Sequence, residues 1–406
     1  PRQVVLMLQF GQKSFLIVDD FTDFRTSTRS MLRELGVRDV DTADSGEQAL
    51  RMCAQKRYDF ILQDFHLGDG KKNGQQVLED LIIDKHISHE CVFIMVTAES
   101  SQAIVLSAIE HEPNACLTKP FNRVGLSQRV EKLYPRKTLL KPILRALDRN
   151  RPGEVLAACA ELCKKDPRLA PLCLRYRADA LRNLNRFEEL EKFLKAILAS
   201  RPQPWVYAAL GSLMHKRGQN AQAQAVYEQA LKAFPIMPAL YDGIAEVLVA
   251  QGETKRAQGL LEEAVRLSPL SVRRQATLGK LALANEDFDS ASKAFRHAVT
   301  QGQSSRYKDA ENNLGLAQAL ISKGGDRGLD ARTRVEINQT LGEVAKEHTN
   351  DAGLQVRARL MKATSVATSD PEMAAKLTAQ AMERLEGMEQ FLSADAALAV
   401  ASQLKQ

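Results

Sequence analysis

Four short apolar runs, each ending at a polar residue, constrain this chain more than any other feature. Phe15-Leu16-Ile17-Val18 leads into Asp19-Asp20, and Tyr58-Asp59-Phe60-Ile61-Leu62-Gln63 leads into Asp64. Cys91-Val92-Phe93-Ile94-Met95-Val96 leads into Thr97, and Ala115-Cys116-Leu117-Thr118 into Lys119-Pro120. Runs of this kind read as buried parallel strands. In an open α/β sheet, ligands bind outside the carboxyl ends of the strands. Asp19, Asp20, Asp64, Thr97 and Lys119 should therefore gather at one edge, although they are spread over about a hundred residues. Three carboxylates held together repel one another, and a hard divalent cation such as Mg²⁺ relieves that repulsion. With a hydroxyl and an ammonium alongside, such a site suits a phosphoryl group.

Strand candidates at 14–18, 38–42, 58–63, 91–96 and 114–118 alternate with amphipathic stretches near 22–35, 45–56, 74–86, 100–111 and 122–134. This alternation predicts an α/β doubly wound, five-stranded parallel sheet. The ordered set VDDF (18–21), QDFHLGDGKKNG (63–74), VTA (96–98) and LTKPF (117–121) resembles the receiver domain of two-component response regulators, a CheY-like, flavodoxin-like fold, over roughly residues 13–133. The resemblance implies that Asp64 accepts a phosphoryl group from a phosphohistidine on a histidine kinase or phosphotransfer protein. It implies a Mg²⁺ site of Asp20, Asp64 and the backbone carbonyl of His66, with Asp19 orienting the metal's waters. Thr97 and Lys119 would each meet a phosphoryl oxygen, so that the chemistry is positioning plus charge stabilisation. Beyond this phosphoacceptor chemistry no enzymatic activity is expected.

The chain departs from the family where many receivers carry an aromatic three residues before the lysine, because that position is Cys116. His66 and Glu99 flank the pocket, where family members tune dephosphorylation. Glu99 is either a water-orienting group or a solvated loop acid.

A net charge of +6 over 406 residues admits an acidic partner, without the concentrated basic stripe of a nucleic-acid binder. No apolar run reaches the length of a membrane helix, and Val4–Leu8 is too short for a signal-peptide core. Cys159 and Cys163 sit one helical turn apart with Cys173 nearby. With no His beside them and with apolar periodicity around them, the six cysteines read as buried free thiols in a reducing cytoplasm; the response-regulator resemblance implies a cytoplasmic, bacterial protein.

After Leu133 the composition changes. Tyr134-Pro135-Arg136-Lys137 and Lys141-Pro142 read as a polar joint, and beyond it a 34-residue period appears. Tyr207, Leu210, Gly211, Gly218, Ala223, Tyr227, Ala230 and Pro235 recur as Tyr241, Ile244, Ala245, Gly252, Ala257, Leu261, Ala264 and Pro269. A third copy keeps Leu278, Gly279, Glu286, Ala291, Phe295 and Ala298 but loses the proline. This pattern resembles the tetratricopeptide repeat (TPR), strongly over 204–305, moderately over 171–203 and weakly elsewhere. Residues 306–350 read as irregular after one helix, 352–388 as a helix pair and 389–405 as a capping helix.

The TPR resemblance implies a solenoid with a groove lined by the first helix of each repeat. In that register the groove candidates are Arg175, Asp179, Arg182, Trp205, Ser212, His215, Asp242, Glu246, Arg273 and Lys280. Within each repeat they fall at helical spacing. Trp205 is either an interface anchor or an inter-repeat packing residue.

The expected organisation is thus an N-terminal extension at 1–12, a receiver at 13–134, a linker at 135–142 and an all-α TPR-type solenoid at 143–406, clearest over 171–305. The expected function is a response regulator that signals through protein or peptide ligands of the TPR groove, with homodimerisation open and no membrane partner. A constitutive scaffold with a docking receiver and a nucleic-acid-binding regulator using the basic joint are the alternatives.

Overall fold

In the computed structural model, residues 10–386 are described, apart from residues 69, 100, 111, 326 and 327. The five strand candidates form β1 (Ser14–Val18), β2 (Asp39–Ala43), β3 (Phe60–Asp64), β4 (Val92–Thr97) and β5 (Ala115–Thr118), all parallel in the order β2-β1-β3-β4-β5. Between and after them run α1 (Thr22–Glu34), α2 (Gly46–Gln55), α3 (Gly74–Ile83), α4 (Gln102–Ile109) and α5 (Arg123–Asp148). β3 and β4 are buried at every position, which explains why they read as continuous apolar runs rather than alternating ones. Register then decides the site. Val18 pairs with Gln63, Asp64 with Val96, and Thr97 with Thr118, so the carboxyl ends of β1, β3, β4 and β5 finish level.

The expected linker at 135–142 is a correction. α5 runs unbroken through both Pro135 and Pro142. A proline inside a helix forfeits a hydrogen bond and costs about 3 kcal/mol. Here packing on both ends of the helix offsets that cost. Leu126 and Val130 are buried in the receiver core, with Leu133 and Tyr134 against it. Leu140, Ile143, Leu144 and Ala146 join a second core with Val155, Cys159 and Cys173. Polar contacts fasten the same segment: Lys137 Nζ donates to the carbonyl of Cys91 at 2.9 Å, and Arg145 pairs with Glu90 at 2.8 Å.

The rest of the described chain is helical: α6 (Pro152–Lys165), α7 (Ala170–Asn183), α8 (Phe187–Ser200), α9 (Pro204–Lys216), α10 (Asn220–Ala233), α11 (Pro238–Ala250), α12 (Thr254–Leu267), α13 (Val272–Ala284), α14 (Phe288–Gly302), α15 (Ala310–Gly324), α16 (Ala331–Glu347), α17 (Ala352–Val366) and α18 (Pro371–Glu386). Left-handed turn residues mark the repeat directly. Asn150, Asn185, Gly218, Gly252 and Glu286 all have positive φ, at intervals of 35, 33, 34 and 34 residues. The first of these turns joins α5 to α6, so the end of α5 is the first helix of a hairpin in this series. That is why the joint is helical. The irregular segment expected at 306–350 is largely α15 and α16, the pair at 352–388 is α17 and α18, and the capping helix at 389–405 lies outside the described residues.

The chain divides into two compact units, one reaching Val247 and including Arg266–Pro269, the other formed by Leu248–Val265 and the chain from Leu270. Each uses the same packing device. In the first, a Cβ added to Gly211 or Gly243 would meet the Tyr227 ring at 2.5 or 2.4 Å. In the second, Gly279 and Gly315 enclose Phe295, at 2.9 and 2.5 Å. The absent side chains let an aromatic fill the space between helices. All six cysteines are free, and burial pushes the Cys159 thiol up to about 12, as expected of an inert core residue. Among the described residues no helix is long and apolar enough to cross a membrane.

Candidate functional site

The level strand ends bring every expected receiver residue into one pocket. Asp19 and Asp20 follow β1, Asp64 closes β3, Thr97 closes β4 and Lys119 follows β5. Asp19, Asp64 and Thr97 are at most 5% exposed. Lys119 Nζ lies 2.6 Å from Asp19 Oδ2 and 3.1 Å from Asp64 Oδ2, bridging the two carboxylates. Asp19 Oδ1 also accepts from the Phe21 amide at 2.9 Å, which fixes the carboxylate. The Lys119 ammonium sits over the Phe24 ring, 4.1 Å from its centroid, a cation–π support that the strand-end reading missed. Gly74 begins α3 against the pocket wall: a Cβ there would lie 2.4 Å from the Asp64 carbonyl oxygen, so only glycine lets the helix start so close.

Burial pushes the Asp64 carboxyl up to about 6, with Lys119 drawing it down and Asp19 adding to the rise. This carboxylate lacks enough positive charge around it for its ionised form. Asp20 Oδ1 points the same way, being buried without a hydrogen-bond partner among the described residues. One ligand atom each from Asp19, Asp20 and Asp64 lies within 4.8 Å of the others. A hard divalent cation fits this donor set, since it would take the orphaned oxygen and relieve the carboxylate repulsion.

Thr97 Oγ1 accepts from the Glu99 amide at 3.0 Å, while its own hydroxyl reaches the Glu99 carbonyl only at 3.4 Å. Its proton is therefore weakly engaged. His66 Nε2 lies 2.9 Å from Glu99 Oε1, with both side chains about half exposed. The sequence placed these two residues beside the pocket, but their contact depends on how the loops after β3 and β4 approach.

Five of the groove candidates also converge. Arg175, Asp179, Arg182, Trp205 and Ser212, from α7 and α9, line one cavity of about 270 Å³. Glu112 from the α4–β5 loop and Lys216 at the end of α9 line it too, and neither was singled out in the sequence. His215 turns aside to Asn220, 2.8 Å away. Asp242 and Glu246 on α11 lie outside the lining. Arg273 and Lys280 are exposed on α13 in the second unit.

Comparison with known proteins agrees with both halves. The response regulator receiver domain family matches residues 15–131, and the tetratricopeptide repeat family matches 214–281 and 248–314. The chemotaxis protein CheY-3 of Vibrio cholerae is 31% identical over 121 residues, 30% of this chain and 91% of that protein. The chemotaxis protein CheY of Pseudomonas aeruginosa is 32% identical over 121 residues, covering 30% and 95%. Among solved structures, the C-terminal part of a TPR repeat-containing protein from Cytophaga hutchinsonii aligns over 64% of this chain and 99% of its own length, at 14% identity and a TM-score of 0.49. The receiver family match spans the strand ends that build the pocket, and the repeat match covers helices after it. This chain therefore belongs to the response-regulator family, as a receiver domain followed by tetratricopeptide repeats.

Proposed function

We propose that this protein is a phosphoacceptor of a two-component phosphorelay, taking a phosphoryl group on Asp64 from a histidine kinase or phosphotransfer protein and signalling through protein contacts of its repeats. The observation that carries the reading is the bridging of Asp19 and Asp64 by Lys119, beside an Asp20 oxygen with no hydrogen-bond partner among the described residues. Asp64 would attack the phosphorus as the phosphohistidine P–N bond breaks, leaving an acyl phosphate on its carboxylate. Lys119 would move from its carboxylate contacts to a phosphoryl oxygen, and the weakly engaged Thr97 hydroxyl would donate to another. Asp19, Asp20, Asp64 and the His66 carbonyl would hold Mg²⁺, which supplies charge neutralisation for the transfer. On this reading the protein works in the cytoplasm beside its phosphodonor, and its chemistry is gaining and losing the phosphoryl group.

The test is incorporation of phosphate from acetyl phosphate with Mg²⁺, read by intact mass, beside Asp64→Asn. Stoichiometric incorporation that requires Asp64 supports the reading. A folded wild-type protein that neither gains mass nor binds beryllofluoride sinks it.

A further inference from the structure

The repeat groove already holds one carboxylate, and it comes from the receiver. Glu112 Oε1 lies 2.5 Å from an Arg175 guanidinium nitrogen. Its loop presents it by an unusual route: Glu112 has φ of +55°, a left-handed conformation that a side chain of its kind rarely adopts. Two residues earlier, the end of α4 is fixed. Ser268 Oγ donates to Glu110 Oε2 at 2.8 Å and lies 3.1 Å from Ser107 Oγ, with both serines fully buried. The Glu112–Arg175 pair itself is open to water, at 58% and 49% exposure, and an ion pair of that kind is weak. A loop tied at Glu110 thus offers a carboxylate through an easily exchanged contact.

The groove selects for the same chemistry. Asp179 is matched by Arg182 at 2.6 Å, which leaves Arg175 and Lys216 as its surplus positive charge. Below them, Trp205, Phe187 and Leu213 form an apolar floor. Burial raises the Asp179 carboxyl on the same lining. Once Glu112 withdraws, Arg175 keeps only the Asp179 charge that it shares with Arg182.

We propose that this groove docks an acidic peptide segment of a partner protein, a carboxylate on Arg175 and an apolar side chain against Trp205, and that Glu112 occupies the carboxylate position from within the chain. The proposal rests on the reading of the repeats as the protein-binding output, and it names the partner's chemistry and what competes with it. Because peptide and receiver loop exclude each other at Arg175, each weakens the other's hold by the same factor.

Trp205 is the single tryptophan of the chain, so its emission reads groove occupancy without a label. Peptides selected from a random library on the full-length protein are to be synthesised and titrated against wild type, Glu112→Gln and Arg175→Gln. The expected selection is peptides pairing acidic with apolar residues, which shift Trp205 emission. Glu112→Gln should bind them about two- to fivefold more tightly, the scale of one exposed ion pair. Arg175→Gln should bind them at least about tenfold more weakly. A selection that yields no binders, binders without acidic bias, or binders indifferent to Arg175 overturns the proposal. Mg²⁺-dependent beryllofluoride binding, measured on the same three proteins, reports the receiver alone. If it persists while peptide binding fails, only the groove proposal falls; if it is absent throughout, only the receiver reading does.

Discussion

The receiver pocket and the repeat groove both gather charged side chains, but by opposite means. In the pocket, Asp19, Asp64, Thr97 and Lys119 come from separate strand ends, and all but Lys119 are almost fully buried. In the groove, Arg182 and Asp179 are neighbours on one helix, three residues apart, and both stay in contact with water. Electrostatic contacts strengthen as water is excluded, so the pocket can hold a transferring group in fixed geometry. The groove offers contacts that exchange cheaply. The comparison teaches that a parallel sheet suits chemistry, because its register fixes atoms distant in sequence. A helix pair suits recognition, because its faces remain open.

The largest expected effect breaks one side of this comparison outright. Asp64→Asn should abolish phosphate incorporation as read by intact mass, while Trp205 emission stays unchanged; residual incorporation would show that the strand-end geometry is not the acceptor. Next comes the packing that the repeats depend on. Phe295→Ala should cost about 3–5 kcal/mol in urea unfolding, and Gly243→Ala about 1–3 kcal/mol by overpacking the Tyr227 ring. Both should leave beryllofluoride binding at Asp64 intact, and a parallel loss would mean that pocket and repeats are not separable.

A smaller effect sharpens the pocket itself. Removing the His66–Glu99 contact by Glu99→Ala should change the lifetime of the phosphoryl group by about two- to tenfold, followed by mass after the donor is removed. An unchanged lifetime would make Glu99 a solvated loop acid.

The smallest concerns the helix that serves both halves. Burial tends to raise the Asp148 carboxyl, but the His89 amide, the Ser88 hydroxyl and the His89 ring together hold it below its usual range. A lowered folded pKa adds stability above the ordinary carboxylate value near about 4, and that stability is lost as pH falls through the folded value. Asp148→Asn should therefore flatten the acid limb of the melting-temperature profile, with a stability change under about 1 kcal/mol at neutral pH. An unaltered limb would mean that the tie between α5 and the loop before β4 carries no stability.

The strand ends were legible because parallel strands buried on both faces must be apolar throughout, so a terminal acid stands out. The repeat core was legible for a similar reason: Gly211 and Tyr227 are meaningful only as a recurring pair, and they recur as Gly279 and Phe295. Pro135 and Pro142 misled, because a local rule about helix interiors was set against packing that lies in two separate cores. Asn150 was equally hidden, since an asparagine in a left-handed turn does the work that Gly218 does in the clearer copies.

By itself, then, the sequence determined which residues must be buried, where the chain doubles back and which five polar groups meet at the sheet edge. Those follow from periodicity, which local composition records. Only the tertiary structure decided that Lys119 bridges two carboxylates, that Asp20 keeps an oxygen with no hydrogen-bond partner among the described residues, and that Glu112 reaches Arg175. Each depends on a distance between segments remote along the chain, and register, loop path and helix packing set such distances together.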